Sequence, residues 1–343
     1  MELSHKQIES LKEMLAQPRL RIVILSHTNP DGDAVGSSLA WAEVLRARGH
    51  EVTCVVPNKY PYFLDWMPGI EEVVVFKTDT EGRAVKAIAE ADVLFCLDFN
   101  AVSRLEILSE TIQGNTTARR VLIDHHLQPD EGFDIVFSHP ESSSTCFLVY
   151  CLVEAMYGTG AITRRMGELL YVGMMTDTGN FAFSHLTPEL FRAVAVLLEK
   201  GISIPEIHNS VYNAYTEGRA RLFGYAINRK MEVIQDGKVA YMSLLENEMR
   251  RFQFQQGDSE GFVNYALTVK KMKMSAMFLA HRKFIRVSLR SRGDVDVNLF
   301  ARKYFNGGGH KNAAGGKSFL SMEETIDHYI RSVREFAEEG HLG

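Results

Sequence analysis

Carboxylate and imidazole side chains recur at four places in the sequence where a predicted strand or helix ends. The first group lies in the stretch SHTNPDGDAVGSS, directly after the apolar run RIVIL. The full set of candidates is His27, Asp31, Asp33, Asp98, Asp124, His125, His126 and Asp177. In open α/β sheets, ligands bind beyond the carboxyl ends of the strands, so side chains at these ends can converge. The pattern therefore predicts one shared site.

Each group also has an ordinary structural explanation. Asn29-Pro30-Asp31-Gly32 has the residue types of a type I turn, and Asp33 could cap the helix predicted to follow it. The later carboxylates could likewise cap a helix, end a strand or lie in a turn, and a His pair is often structural. These explanations do not account for His27. They also require four unrelated structural roles at four element ends, whereas one shared site explains all four groups.

The composition of the candidate set indicates the kind of metal. Several carboxylates with two or three imidazoles and no cysteine suit Mn²⁺ and Mg²⁺ before structural zinc. These candidates are too many to bind one ion and suit two, and pairs of divalent ions serve phosphoryl displacement. Asp31 and Asp33 could each face a different ion. Asp98, alone at the end of a central strand, is the candidate bridging ligand.

The first half of the chain alternates between predicted strands and helices. Strands are predicted at 21–25, 51–56, 71–76, 92–98, 119–124 and 133–137, with helices at 34–48, 81–90 and around 103–110. The strand runs are nearly continuous in Val, Ile and Leu, as expected of a sheet covered on both faces. This alternation predicts an α/β fold with a doubly wound, mainly parallel sheet.

The second half turns helical from Ser143 to about Gly201 and then predicts a smaller α/β domain. Its strands are expected at 238–244, 275–281 and 284–291, with helices at 298–305 and 322–337. The predicted organisation is a metal-binding catalytic domain at 1–190, a helical linker at 191–217 and a substrate-binding domain at 218–343.

Composition restricts the class of protein. A chain of 343 residues favours two domains, and its apolar stretches are interrupted too often to predict a membrane segment. The four cysteines form no C-x-x-C pair and are expected to be buried thiols in a reducing cytoplasm. The net charge is −5, yet residues 218–318 carry 19 Lys and Arg against 8 Asp and Glu. Either cations there hold an anionic substrate, or the imbalance is one of solvated faces.

Four stretches in order, HTNPDGDAVGSS, LDFN, IDHH and TDTGNFAFS, resemble the motif series of the DHH family of phosphoesterases. Near the C-terminus, NGGGHKNAAGG resembles the glycine-rich signature of the DHH-associated C-terminal domain. The resemblance implies two metal ions, Mn²⁺ with Mg²⁺ as the alternative. The implied ligands are His27, Asp31 and Asp98 for one ion and Asp33, Asp98, His125 and Asp177 for the other.

The resemblance also implies roles for the remaining candidates. Asp98, His125 and His126 are expected to be catalytic, with His126 facing the substrate phosphate. Asp124 is expected to orient the loop or a ligating imidazole.

The C-terminal part contains candidates for substrate binding. Gly307, Gly308 and Gly309 would allow a loop whose N–H groups point at an anion, with His310 as a donor beside it. Arg290, at the end of a predicted strand, could bind a phosphate through two hydrogen bonds. A Gly-rich turn and a surface arginine are the ordinary alternatives.

Among members of the resembled family, the chain is most similar to the compact stand-alone oligoribonucleases. These degrade RNA of two to five nucleotides to mononucleotides and convert adenosine 3′,5′-bisphosphate (pAp) to AMP. The expected substrates are therefore short single-stranded RNA and pAp. No membrane is expected as a partner, nor is long duplex nucleic acid, whose binding needs many phosphate contacts. A cytoplasmic location is expected, and monomer and homodimer are both left open.

Two other functions fit the same residues. One is a soluble phosphodiesterase of cyclic or linear dinucleotides such as cyclic di-AMP and pApA. The other is a regulatory module that binds nucleotides with metals and does not turn them over.

Overall fold

Each of two six-stranded sheets forms the centre of one unit in the computed structural model, which describes residues 3–182 and 185–342. The units are Met1–Ala214 and Tyr215–Gly343. Among the described residues, no helix is long and apolar enough to cross a lipid bilayer.

The first unit alternates strands and helices as the sequence predicts. Its strands are β1 (Arg21–Leu25), β2 (Glu51–Val56), β3 (Val74–Val75), β4 (Val93–Leu97), β5 (Arg119–Asp124) and β6 (Ile135–Ser138). Its helices are α1 (His5–Leu15), α2 (Gly32–Arg46), α3 (Arg83–Glu90), α4 (Ser109–Gly114), α5 (Thr145–Tyr157), α6 (Arg164–Asp177), α7 (Pro188–Glu199) and α8 (Ile204–Tyr212).

The sheet of the first unit is parallel throughout, in the order β3-β2-β1-β4-β5-β6. Leu25 near the end of β1 lies opposite Val55 of β2 and Cys96 of β4. Chain order therefore reverses between β1 and β4, and a crevice opens beyond the carboxyl ends of strands at such a point. This confirms the predicted doubly wound α/β fold and identifies the edge at which a ligand is expected.

Both faces of this sheet are covered, which explains why its central strands are aliphatic. On one face Leu94 and Leu122 pack with Ile88 of α3 and Ile112 of α4. On the other, the ring of Trp41 from α2 meets that of Phe95 edge-on, with centroids 5.7 Å apart. Helices α5 and α6 pack against α2, so α2 is buried along most of its length.

Two predicted elements of this unit were wrong. Residues 71–76 form only the two-residue β3 between short 3-10 turns, because this edge strand pairs with β2 alone. Residues Val102–Leu108 form a 3-10 segment rather than an α-helix, and Glu106 within it has a φ of 46° that α-helix excludes.

The second unit is built on a mixed sheet. Its strands are β7 (Glu232–Ile234), β8 (Val239–Leu244), β9 (Met274–His281), β10 (Phe284–Ser291), β11 (Gly308–His310) and β12 (Ala313–Ser318). Its helices are α9 (Glu217–Lys230), α10 (Glu246–Arg251), α11 (Phe262–Tyr265), α12 (Val297–Tyr304) and α13 (Met322–Glu338). The strand order is β11-β12-β10-β9-β8-β7, with only β8 and β9 parallel.

The sheet of the second unit has helices on both faces, but to different extents. Phe300 of α12 and Tyr329 of α13 join the core on one face, where they meet alternate residues of β9 and β10 such as Phe278. On the other face, α9, α10 and α11 pack over β8 and β9. The sequence prediction anticipated β8, β9 and β10 but missed β7, β11 and β12, two of which consist largely of glycine and alanine.

Candidate active site

The predicted site residues of the first unit lie at the carboxyl edge of its sheet, where β1, β4 and β5 are neighbours. His27 and Asp31 follow β1, Asp98 follows β4, and Asp124 ends β5. Asp33 lies in the first turn of α2, and Asp177 is the last residue of α6. The residues at the ends of β1, β4 and β5 come together because parallel strands end at the same edge of a sheet.

One group of potential ligand atoms comes from His27, Asp31 and Asp98, within 4.8 Å of one another. The Nε2 atom of His27 lies 3.3 Å from Oδ2 of Asp98. Its Nδ1 atom lies 2.9 Å from the carbonyl oxygen of Thr28. Since a carbonyl can only accept, Nδ1 carries the proton and the lone pair of Nε2 faces the carboxylates.

A second group comes from Asp33, His125 and Asp177, also within 4.8 Å of one another. The Nε2 atom of His125 lies 3.3 Å from Oδ2 of Asp177, 3.8 Å from Oδ2 of Asp33 and 3.5 Å from Oδ1 of Asp98. Its Nδ1 atom faces the carbonyl oxygen of Ser142 at 3.2 Å, so its Nε2 lone pair also points at the carboxylates. Asp98 therefore lies between the two groups.

The predicted turn and helix cap in the first stretch were wrong in detail. Asp31, not Asp33, is the N-cap of α2, and its Oδ1 accepts hydrogen bonds from the N–H groups of Asp33 and Ala34. Asp31, the third residue of the predicted turn over 29–32, has an extended backbone, which excludes a type I turn there. Paired hydrogen bonds between Asn29 and Asn58, a residue distant in sequence, hold this loop.

The carboxylate of Asp33 is instead held by the N-terminus of α5. Its Oδ2 accepts from the N–H of Thr145 at 2.6 Å, and its Oδ1 from the N–H of Cys146 at 2.8 Å. The hydroxyl of Thr145 also donates to Oδ1 of Asp98 at 2.9 Å. Thr145 therefore fixes one carboxylate from each group. Sequence reasoning missed this residue, although SSST before an apolar run is a recognisable helix start.

Asp98 has a strained backbone with a φ of 63°, which is uncommon for a residue other than glycine. Its N–H donates to the carbonyl oxygen of Ile123 in β5, which holds it in this conformation. Such strain costs on the order of 1–3 kcal/mol and is concentrated at functional sites.

Burial of these carboxylates makes their negative charge costly. The pKa of Asp98 lies well above its usual range because of burial first and the charge of Asp33 second. The pKa of Asp33 is raised to about 7 by burial first and by Asp177 second. The donor set, carboxylate oxygens with outward-facing imidazole lone pairs, fits divalent cations, which would supply the compensating charge. The first group has the members of one ligand set implied by the resemblance. The second has those of the other set except Asp98, whose Oδ1 lies 3.5 Å from Nε2 of His125, and the ligand roles stay a prediction.

One cation beside the site was missed by sequence reasoning. Arg104 lies in the 3-10 segment that comes after Asp98 in the chain. The carbonyl oxygen of Arg104 accepts a hydrogen bond from the N–H of Thr28 at 2.9 Å. The pKa of His27 is lowered by burial first and by the charge of Arg104 second. The sequence feature that could have identified Arg104 is its position shortly after the LDFN motif.

Asp124 and His126 form a buried pair beside the second group. The Nδ1 atom of His126 lies 2.7 Å from Oδ1 of Asp124, whose Oδ2 accepts from the N–H of His126. Burial raises the pKa of Asp124 to about 6. This contact orients the ring and places the proton of a neutral imidazole on Nδ1 when Asp124 is ionised.

The glycine-rich segment of the second unit is not the open loop expected from the sequence. Gly308, Gly309 and His310 form strand β11, and the N–H groups of Gly307 and Gly309 already donate to the carbonyl oxygen of Ala301 and to Asn298 Oδ1. The prediction of a loop with free N–H donors was therefore wrong. A Cβ at Gly307 would overlap the carbonyl oxygen of Gly315, so glycine is needed for close strand approach.

The cationic candidates of the second unit lie across the same sheet. Arg290 of β10 is opposite Ala313 of β12, which is opposite His310 of β11. Arg286, Ser288 and Arg290 alternate with buried neighbours and share one face. They line a recess of about 30 Å³ together with the segment 259–261. This face therefore presents guanidinium groups that can bind an anion.

Both units match known domains. Residues 21–174 match the description "DHH family, N-terminal domain", and residues 236–339 match the "DHHA1 domain". The chain belongs to the DHH family. As a member of the DHH family it is a metal-dependent phosphoesterase.

Similar proteins lie within the same family of folds. The bifunctional oligoribonuclease and PAP phosphatase NrnA of Thermus thermophilus is 27% identical over 96% of this chain and 94% of its own. A crystal structure of an exopolyphosphatase-related protein from Bacteroides fragilis is 39% identical, with a TM-score of 0.90 and 97% of each chain covered. The cyclic-di-AMP phosphodiesterase GdpP of Bacillus subtilis is 24% identical, and this chain spans about half (50%) of its length.

Proposed function

We propose that the protein is a two-metal phosphoesterase that hydrolyses short oligoribonucleotides to mononucleotides and pAp to AMP. The observation that carries the proposal is the pair of ligand groups at the carboxyl edge of the parallel sheet, with Asp98 in the first group and 3.5 Å from His125 of the second. The Thermus thermophilus relative, matched over almost its whole length, is named for oligoribonuclease and PAP phosphatase activities, and this supports the choice of substrates.

The proposed cation ligands are those of the two groups. His27, Asp31 and Asp98 would hold one Mn²⁺, and Asp33, Asp98, His125 and Asp177 would hold the other, with Mg²⁺ as the alternative. Bound divalent cations would supply Lewis-acid stabilisation of the phosphoryl oxygens and activation of the attacking water. The protein side chains fix the donors in advance, since both imidazoles have their lone pairs directed inward by backbone carbonyl groups.

His126 is the proposed proton-handling residue. Because Asp124 holds the Nδ1 proton, Nε2 of His126 is the atom that can bind a phosphoryl oxygen or transfer a proton to the leaving oxygen. A buried carboxylate also stabilises the imidazolium form that such a transfer requires. Asp124 thus acts through His126 and does not itself contact substrate.

The second unit is the proposed substrate-binding domain. Arg286 and Arg290 are half-buried and share one face of the sheet with Ser288, and His310 lies two strands away in the row of Arg290. Guanidinium groups bind phosphates through paired hydrogen bonds. We assign Arg290, His310 and Gly307, Gly308 and Gly309 to substrate binding, with the glycines acting by shaping β11. The corresponding domains are 1–190 and 218–343 with a linker at 191–217, and a cytoplasmic location is proposed.

A hydrolysis panel tests this function. Purified protein with Mn²⁺, or with EDTA, is given 5′-phosphorylated RNA dimers to pentamers, a long single strand, pAp, pApA, cyclic di-AMP and pyrophosphate. Metal-dependent hydrolysis of the short RNAs and pAp, with the others slow, is expected. Asp98→Asn should abolish turnover, whereas Asp65→Asn, which neutralises a surface carboxylate, should not.

Other outcomes point to other functions. Preference for cyclic di-AMP or pApA would overturn the substrate choice and favour the activity named for the GdpP relative. Tight nucleotide binding with no turnover of any substrate would indicate a regulatory module.

A further inference from the structure

Five basic side chains surround a concavity at one end of the sheet in the second unit. The concavity has a volume of about 420 Å³ and is lined by Lys238, Lys270, Lys271, Lys273 and Arg292, with Met272 and Asp236. We call this set of five basic residues the basic groove. Asp236 is the single acidic residue in that lining, so the groove has a large excess of positive charge.

Three of these residues are held side by side by the sheet itself. The N–H of Lys273 donates to the carbonyl oxygen of Lys238 at 2.7 Å, and the N–H of Arg292 donates to that of Lys273 at 2.9 Å. They therefore form one row that continues the pairing of β8, β9 and β10. Like charges directly opposite one another on neighbouring strands are destabilising. The row places three cationic side chains next to one another, so that one anionic ligand can contact more than one of them.

The basic groove lies on the same face of the sheet as Arg290. Arg290 lies opposite Ser275, and Arg292 lies opposite Lys273 two residues further along both strands. Since side chains two residues apart share a face, Arg286, Arg290 and Arg292 point to the same side of the sheet. Successive positions are separated by about 7 Å along the strand. This spacing is comparable to the distance between neighbouring phosphates of an extended single strand.

The lining of the basic groove indicates which part of a nucleotide it would contact. No aromatic side chain is among the lining residues, and Met272 is buried, so the groove offers no platform on which a base could stack. Lysine ammonium groups and a guanidinium bind phosphate regardless of base identity. The chemistry therefore fits a phosphodiester backbone better than a single nucleotide recognised by its base.

We propose that the basic groove binds the phosphates of an oligonucleotide that lie beyond the phosphate held at Arg290. The proposal rests on the proposed function, because it assigns a chain-length preference to the same substrate site. The two phosphates of pAp are neighbouring phosphates, so they reach from Arg290 no further than Arg292 at the near end of the groove. A pentamer has enough phosphates to continue along the row to Lys273 and Lys238. The groove would thus favour oligonucleotides over pAp without reading their sequence.

A triple variant, Lys238→Ala, Lys270→Ala and Lys271→Ala, tests the part of the groove that pAp does not reach. All three side chains are exposed, so their truncation removes charge and leaves the core intact. The KM for 5′-phosphorylated RNA pentamer relative to the KM for pAp is expected to rise about tenfold. Each lost phosphate contact lowers the salt dependence of single-strand binding by about 0.7 in log–log slope, so the slope should fall by about 2.

The matched control removes the same charge from residues that do not line the groove. Arg282→Ala and Lys283→Ala lie in the hairpin between β9 and β10, and Arg331→Ala lies on α13. This triple variant should leave the KM ratio and the salt slope at their wild-type values. Equal effects of the two triple variants would show that only net charge matters and would overturn the proposal.

The experiment distinguishes a wrong assignment of the groove from a wrong proposed function. If wild-type protein hydrolyses pentamer and pAp but the variant keeps the wild-type KM ratio, the groove assignment is wrong. If wild-type protein hydrolyses neither, the proposed function is wrong, and fluorescence anisotropy of labelled pentamer still measures the salt slope. Loss of binding to phosphatidylserine vesicles in the variant, with unchanged pentamer binding, would overturn the proposal in favour of a membrane surface.

Discussion

Removal of one charge from the buried carboxylate cluster is expected to stabilise the metal-free protein and to abolish stabilisation by metal. The change is Asp98→Asn, which is nearly isosteric. The amide oxygen can still accept the hydroxyl of Thr145, and the amide nitrogen can donate to the Nε2 lone pair of His27. The variant therefore fills the same space without a buried negative charge.

The magnitude follows from the pKa of Asp33 in the same cluster. That pKa is raised from 3.8 to about 7 by burial and by Asp177. A difference of about three units at 1.36 kcal/mol each corresponds to about 4 kcal/mol. Because the folded-state pKa is above the unfolded one, this stability is fully present below about pH 4. It is lost as the pH rises through about 7.

Asp98 contributes in the same direction, because its pKa is raised well above the usual range by burial first and by Asp33 second. We expect Asp98→Asn to raise the stability of the metal-free protein at pH 8, because it removes a carboxylate that is costly to ionise in this environment. The stability tied to Asp33, about 4 kcal/mol, corresponds to about 10 °C in Tm for a unit of this size. In wild-type protein, Mn²⁺ at 100 times its Kd would add about 2.7 kcal/mol.

Thermal unfolding followed by circular dichroism between pH 5 and 8.5, in EDTA and in Mn²⁺, measures these effects. Wild-type Tm in EDTA should fall with rising pH and recover on addition of Mn²⁺, whereas the variant should show a shallower fall and no recovery. A wild-type Tm independent of pH in EDTA would refute the electrostatic reasoning. Equal stabilisation of the variant by Mn²⁺ would refute the role of Asp98 as a ligand.

Three further predictions concern single positions. Thr145→Val removes the hydroxyl that donates to Asp98 and should weaken Mn²⁺ binding about tenfold by calorimetry, while Thr145→Ser should restore it. A valine variant with wild-type affinity would contradict the positioning role. Gly307→Ala should destabilise the second unit by about 2 kcal/mol or more in chemical denaturation because its Cβ would overlap the carbonyl oxygen of Gly315. Gly224→Ala, in a helix with open space around it, should instead stabilise by about 0.5–1 kcal/mol. His126→Gln should lower kcat about 10²–10⁴-fold with unchanged Mn²⁺ binding, and parallel loss of both would make it a ligand instead.

The parallel sheet and the position of the site at its edge could be predicted from local pattern. Runs such as RIVIL and VLFCL are aliphatic on both faces, and only a strand covered by helices on both sides requires that. Polar residues that directly follow such runs must lie at the carboxyl edge. His27, Asp98 and Asp124 could therefore be placed together without knowledge of any contact between them.

The structure alone decided which groups hold those side chains in place. Asp31 caps α2 and Asp33 is held by α5, the reverse of what the local turn chemistry of the stretch suggested. The partners of Asp33 at Thr145 and Cys146 are more than 100 residues away in the chain. No local pattern encodes that pairing, because it depends on how α5 packs beside α2.

The second unit shows the same division between local and long-range information. The alternation of FIRVSLRS predicted strand β10, and its polar positions placed Arg290 on the face opposite the buried aliphatic residues of the strand. The glycines at 307–309 are compatible with either a loop or a strand by their own conformational freedom. They form a strand because β12 and the side chain of Asn298 accept and fix their backbone groups. Sequence periodicity therefore determined which face of the sheet each side chain points to. Only tertiary packing decided which backbone groups already have a hydrogen-bond partner, because these partners are set by proximity in space.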